Sequence, residues 1–181
     1  MTADLITAWA TAATAIIAII ALMAESRKSR MALVADVMLR MQEKFDSQRM
    51  IIVRKKAVKA IQDFRSKKTD KLSDDVDDVL DFFEEVALLA RRTVIDKKSA
   101  WHAFYFWIDG YWWATIDYIN SERKNSPTQW EDLFWLHRKL VEIENEGEKR
   151  PASTEHRMTE DEIKDFLEGE ERYFIELDGL N

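Results

Sequence analysis

The sequence predicts an all-α protein with one N-terminal transmembrane helix, a long juxtamembrane helix and a compact cytoplasmic helical bundle. Three observations carry this. Only 4 Gly and 2 Pro occur in 181 residues, too few for a turn-rich sandwich or barrel, and no Gly-rich phosphate loop is present. Neither breaker occurs before Gly110, so helices can run long. Apolar residues recur at three- and four-residue steps along most of the chain. Cys is absent, which excludes disulfides, thiolate zinc sites and a Cys nucleophile. Seven Trp supply material for a core, and a net charge of −7 argues against nucleic acid as a partner.

The first element is the uncharged run LITAWATAATAIIAIIALMA, Leu5 to Ala24. At about 1.5 Å per residue a helix of this length spans about 30 Å, one hydrocarbon thickness. No Lys or Arg precedes it, unlike the basic start of a signal peptide. Arg27, Lys28 and Arg30 follow directly, and a basic flank stays in the cytoplasm. The expected location is the inner (plasma) membrane, single-pass, with the N-terminus outside. Residues 1–25 are then the anchor, 26–145 a cytoplasmic helical domain, and 146–181 a charged loop, short helix and tail. In the span, Ala8, Thr11, Ala12 and Ala15 form a small-residue surface suited to close helix–helix packing.

Leu33 to Phe45 and Val53 to Phe64 read as one amphipathic stretch, continuous with the span or kinked near Ser26–Ser29. Arg65–Asp70 reads as a turn. Ser73 is the expected N-cap of the next helix, with Asp74, Asp75 and Asp77 in its first turn and Arg91–Arg92 at its end. Asp96 or Ser99 opens a helix to about Tyr118, with Gly110 inside it, where either close packing or a bend is expected. Ser126–Pro127 is the expected start of a further helix, with a loop over Asn145–Ser153. Thr159 with Glu162 forms a capping box for a short helix, Glu160–Leu167.

The block WHAFYFWIDGYWWATIDY, residues 101–118, is apolar on nearly all sides. Trp107, Trp112 and Trp113 are therefore expected in the core or at a homo-oligomer interface. A base-stacking platform would need interleaved cations, and residues 99–122 contain no Lys or Arg. Arg54, Lys55, Lys56 and Lys59 belong to a basic patch facing an acidic block over residues 70–85, and a helical hairpin would pair the two. His102, His137 and His156 have no i, i+4 partner, so no metal or cofactor is expected.

DFFEEVALLARRTVID (81–96), FWIDGYWW (106–113) and WEDLFWLHRKL (130–140) resemble a class of bacterial membrane proteins that carry a domain of unknown function. The layout is also similar to the membrane accessory proteins of RNA-targeting CRISPR systems, which resemble HEPN domains and form membrane pores. RPASTEH, Arg150 to His156, fits the Arg-x(4–6)-His spacing of HEPN ribonucleases, which implies Arg150 and His156 as catalytic candidates. The resemblance implies a non-enzymatic, self-associating membrane protein, pore-like and active in antiphage defence. The alternatives are a membrane-tethered HEPN-like ribonuclease and a structural or scaffolding membrane protein. Expected partners are the lipid bilayer, further copies of the chain and a protein of the defence system.

Overall fold

The structure, a computed structural model, describes residues 2–69, 71–154 and 156–179, with side chains from residue 19 to 177. Among the described residues six helices follow one another: α1 Thr2–Phe45, α2 Gln48–Arg65, α3 Asp74–Arg91, α4 Lys97–Asn125, α5 Glu131–Gly147 and α6 Glu160–Gly179. No strand occurs among the described residues, and the all-α class is observed.

The chain divides into two compact units at Val37/Met38. The first is helical throughout its described length, with no break at Ser26–Ser29. Ile19, Ile20, Leu22, Met23, Met31 and Leu33 are all exposed on it. The side chains of 2–18, which hold most of the Leu5–Ala24 run and all of Ala8, Thr11, Ala12 and Ala15, lie outside the described residues. Among those described, no helix is long and apolar enough to cross a membrane. The expected transmembrane helix therefore has no support from the described part of the fold.

The second unit is the helical bundle. The amphipathic stretch read as continuous over 33–64 is in fact two helices. Phe45 ends α1, and Ser47 caps α2, its hydroxyl accepting from the Met50 N–H at 3.2 Å. The break lets Met38, Met41 and Phe45 bury their side chains in the same core as Ala57, Val58 and Ile61. Helix α3 packs against α2, α4 and α5, and α4 also packs against α5 and α6. Ser73 occupies the N-cap of α3, though it caps through its carbonyl, and Asp74, Asp75 and Asp77 fill the first turn. Asp96 caps α4 through its carboxylate, which accepts from the Ser99 N–H at 2.9 Å.

Three further expectations need correction. Helix α4 continues past Tyr118 to Asn125. Ser126–Pro127 opens a turn, and α5 begins only at Glu131, after Trp130 adopts a left-handed conformation with φ 50°. The orphan N–H groups of Asp132 and Leu133 are satisfied by Glu84 of α3, at 3.2 and 2.6 Å, a cap supplied by another helix. Finally, α6 runs to Gly179 without breaking at Gly169. Its capping box forms as read: the Thr159 N–H donates to Glu162 at 2.7 Å, and the Glu162 N–H donates to the Thr159 hydroxyl at 3.3 Å.

Helix α6 docks through one apolar face and one charge. Ile163, Phe166, Leu167 and Phe174 are buried, and Glu170 lies among them. Gly110 of α4 is where the two helices come closest, because a methyl group there would overlap the Phe166 ring. That explains the glycine inside α4, which does not bend the helix. Glu170 accepts from Arg54 Nε at 3.1 Å and Nη2 at 2.7 Å, from Trp107 Nε1 at 3.1 Å and from the Tyr111 hydroxyl at 2.9 Å. Arg54 is 1% exposed, with its guanidinium 4.0 Å from the Phe45 ring centroid. Burial opposes its charge, but Glu170 and Tyr111 more than offset that, and its pKa lies above the ordinary value.

Removing one partner of such a pair strands a buried charge, whereas replacing both with apolar groups does not. Glu170→Gln should destabilise the folded chain by about 3–5 kcal/mol. The double variant Arg54→Met/Glu170→Leu should recover most of that loss. Urea denaturation of the purified protein checks it; a double variant as weak as the single one would mean that the charges themselves hold the helices.

Candidate functional site

Asp109 stands one residue before Gly110 on α4 and is buried. Its carboxylate gathers three donors from three parts of the chain. Oδ1 accepts from His137 Nε2 on α5 at 2.8 Å and from Trp113 Nε1 at 3.1 Å, and Oδ2 accepts from His156 Nε2 at 2.8 Å. An ionised carboxylate only accepts, so both imidazoles present an N–H at Nε2. His137 is nearly buried, whereas the His156 side chain keeps 28% of its surface exposed. Burial pulls the His137 pKa below the ordinary value against the opposing pull of Asp109. Near neutral pH this ring is the neutral tautomer with its proton on Nε2.

His137 also stacks on Trp112, with centroids 4.5 Å apart and planes 14° apart, and Trp113 meets it edge-on at 5.8 Å. These groups form one side of an open cavity of about 520 Å³. Phe134, Arg138, Val141 and Glu142 of α5 and Ala152, Ser153, Thr154, His156 and Arg157 of the following loop complete it. The loop is tied down by Asn145, whose side-chain amide N–H donates to the Thr154 carbonyl at 2.8 Å and whose backbone carbonyl accepts from the Arg150 N–H at 2.7 Å. The cavity needs no metal to hold its acid in place, and among the described residues no cluster of His, Asp or Glu could hold one.

The expected site residues are distributed as follows. His156 enters the cavity; Arg150 is exposed and is not among its lining residues, which include Arg138 and Arg157 instead. Trp112 is 5% exposed, and Trp107 and Trp113 are half-buried, each donating its indole N–H to a carboxylate. Arg54 does not belong to a surface patch with Lys55, Lys56 and Lys59, which are exposed; it is buried against Glu170 because it shares the α2 face of Ala57, Val58 and Ile61. Between the basic and acidic blocks, Lys56 pairs with Asp75 at 3.8 Å. Arg27, Lys28 and Arg30 are exposed on the first unit. Sequence reasoning missed Asp109, although an acid inside a run of aromatics is the signal that marks it.

Residues 8–140 match the family described as a domain of unknown function, DUF4760, and the chain belongs to that family. The match carries no link to CRISPR accessory proteins. No curated protein and no solved structure matches the chain.

A histidine whose folded pKa lies below its unfolded value of about 6.5 lends stability that is complete above that pH and lost as pH falls. His137→Gln keeps an N–H donor for Asp109 and removes the titration. The stability advantage of wild type over this variant should shrink as pH falls from 7.5 to 5.5, measured by urea denaturation at each pH. A constant difference would show that burial does not hold the ring neutral. Glu84 and Asp77, whose pKa values burial raises, work in the opposite direction and at lower pH, and both proteins retain them.

Proposed function

We propose that this chain is a single-pass membrane protein that self-associates through its span, with the bundle of residues 38–179 in the cytoplasm and a pore-like, membrane-perturbing role in bacterial defence. One observation carries this reading: twenty successive uncharged residues, Leu5–Ala24, followed at once by Arg27, Lys28 and Arg30. The exposure of Ile19, Ile20, Leu22 and Met23 at the end of that run supports it, since lipid would cover them. Little hydrophobic force acts between helices in lipid, so association would rest on close packing along Ala8, Thr11, Ala12 and Ala15.

A second reading, a membrane-tethered ribonuclease, is favoured by the fixing of His156 by Asp109 at the edge of a cavity. Its cation would then be Arg138 or Arg157, in place of Arg150.

A reporter fused after Asn181 should behave as cytoplasmic, and a tag before Met1 should be reachable from outside the cell. The solubilised protein should run as an oligomer, and Ala12→Leu should loosen it without preventing insertion. A monomer in both mild detergent and nanodiscs would end the self-association reading; inverted topology would end the role given to the basic flank.

For the second reading, purified protein should cleave single-stranded RNA, and His156→Ala should lower the rate by about 100-fold or more. Equal rates for wild type and variant would remove it.

A further inference from the structure

Aromatic residues of α4 lack neighbouring cations in the sequence, but the fold supplies them. Arg138 from α5 and Arg157 from the loop line the same cavity as Trp112, Trp113 and Phe134. The Arg157 guanidinium lies 5.9 Å from the Trp113 ring centroid. Neither guanidinium has an ion-pair partner among the described residues.

Among the described residues, the acids nearby are already engaged. Asp109 accepts from two imidazoles and an indole. Glu142 accepts from Lys139 at 2.7 and 2.8 Å. In a chain of net charge −7, this is therefore a locally cationic cavity with aromatic walls. Those walls are set in advance, since Trp113 is held through its indole N–H and Trp112 through its stack on His137. Ser153 and Thr154 add polar groups at the loop side.

We infer that this cavity binds a nucleoside phosphate, the base against the aromatic wall and the phosphate between Arg138 and Arg157. Its size, about 520 Å³, falls in the range of small-ligand sites. A base offers a flat π surface for Trp113 and Phe134, and a phosphate matches the guanidinium fork. An anion alone would not use the aromatic wall, and an apolar ring alone would leave both cations unanswered. Binding does not depend on cleavage, so it stands apart from the ribonuclease reading.

The test is isothermal titration of the full, detergent-solubilised chain with AMP, GMP, CMP and UMP, with adenosine and inorganic phosphate as controls, and with a short RNA ending in a phosphate. At least one mononucleotide should bind, with adenosine and phosphate each weaker by on the order of tenfold or more. Arg138→Ala/Arg157→Ala should weaken it by a similar factor while leaving the thermal midpoint unchanged, because both side chains are exposed. Tighter binding of the RNA than of the mononucleotides would assign the same chemistry to a chain terminus; the reverse order would assign it to a free nucleotide. No binding at millimolar concentration, phosphate binding as tightly as the nucleotides, or full affinity in the double variant would each overturn the proposal.

Discussion

Four donors converge on the Glu170 carboxylate in the interior of the bundle: two nitrogens of Arg54, the Trp107 indole and the Tyr111 hydroxyl. A buried ion pair is a poor source of net stability, because desolvation consumes much of the Coulombic gain. It is a strong source of register. If α6 slid by one turn, Glu170 would leave its donors and Arg54 would be a stranded buried charge. Phe166, one turn earlier on α6, would at the same time leave the place that the missing side chain of Gly110 opens for its ring on α4. Charge and shape thus select the same alignment. That alignment fixes where α6 begins, at the Thr159–Glu162 box, and so where His156 emerges three residues before it. Since Asp109 adjoins Gly110 on α4, the docking of α6 and the assembly of the His137–Asp109–His156 group are consequences of one packing event.

The two buried acids differ in what neutralises them. Glu170 faces a guanidinium, which stays charged at every accessible pH. Asp109 faces two imidazole N–H groups, not a permanent cation. The clamp on α6 therefore keeps its positive partner throughout the physiological pH range. Burial holds His137 neutral, so the compensation of Asp109 there is by hydrogen bonds and not by a full opposite charge. The acid remains strongly hydrogen-bonded while the cavity's free positive charge stays on Arg138 and Arg157, at its rim.

Much of this was legible in the sequence, and what was missed shares a cause. The helices over 74–91 and 97–118, the Thr159–Glu162 box and the special role of Gly110 follow from local chemistry. The errors arose where a local signal was overridden from a distance. Pro127 suggested a helix start, but the orphan N–H groups of α5 are capped by Glu84, from another helix. The last helix reads locally as the short Glu160–Leu167, but burial of Phe174 carries α6 on to Gly179. Arg54 was read with Lys55 and Lys56 as part of one charged block, although it stands three, four and seven residues from Ala57, Val58 and Ile61 and so shares their face. Glu170 is in the same relation to Ile163, Phe166, Leu167 and Phe174. A charge in phase with an apolar stripe is a sign of a buried pair, but sequence alone cannot pair residues 116 apart. Asp109 and its two histidines, 28 and 47 residues away, pose the same problem.

Scarcity of glycine also shaped the helix ends. After α2, α3 and α5 the left-handed position is taken by Lys67, Thr93 and Lys149, with φ of 58°, 57° and 55°. Each is followed by the paired backbone bonds that close such an end: Lys68 N–H to Asp63, Val94 N–H to Leu89 and Arg150 N–H to Asn145. A side chain in this conformation costs about 1 kcal/mol, which the recovered carbonyl bonds offset. For the cavity the consequence is rigidity. The loop that forms one wall leaves α5 through such a closed turn, is held at Thr154 by the Asn145 amide and at His156 by Asp109, and enters α6 through a capping box. Between the turn at Lys149 and the cap at Thr159 few residues are left without a fixed point. A wall ordered before the ligand arrives leaves less conformational entropy to lose on binding, and that is what an otherwise open cavity between a helix and a loop requires if it is to hold a small molecule.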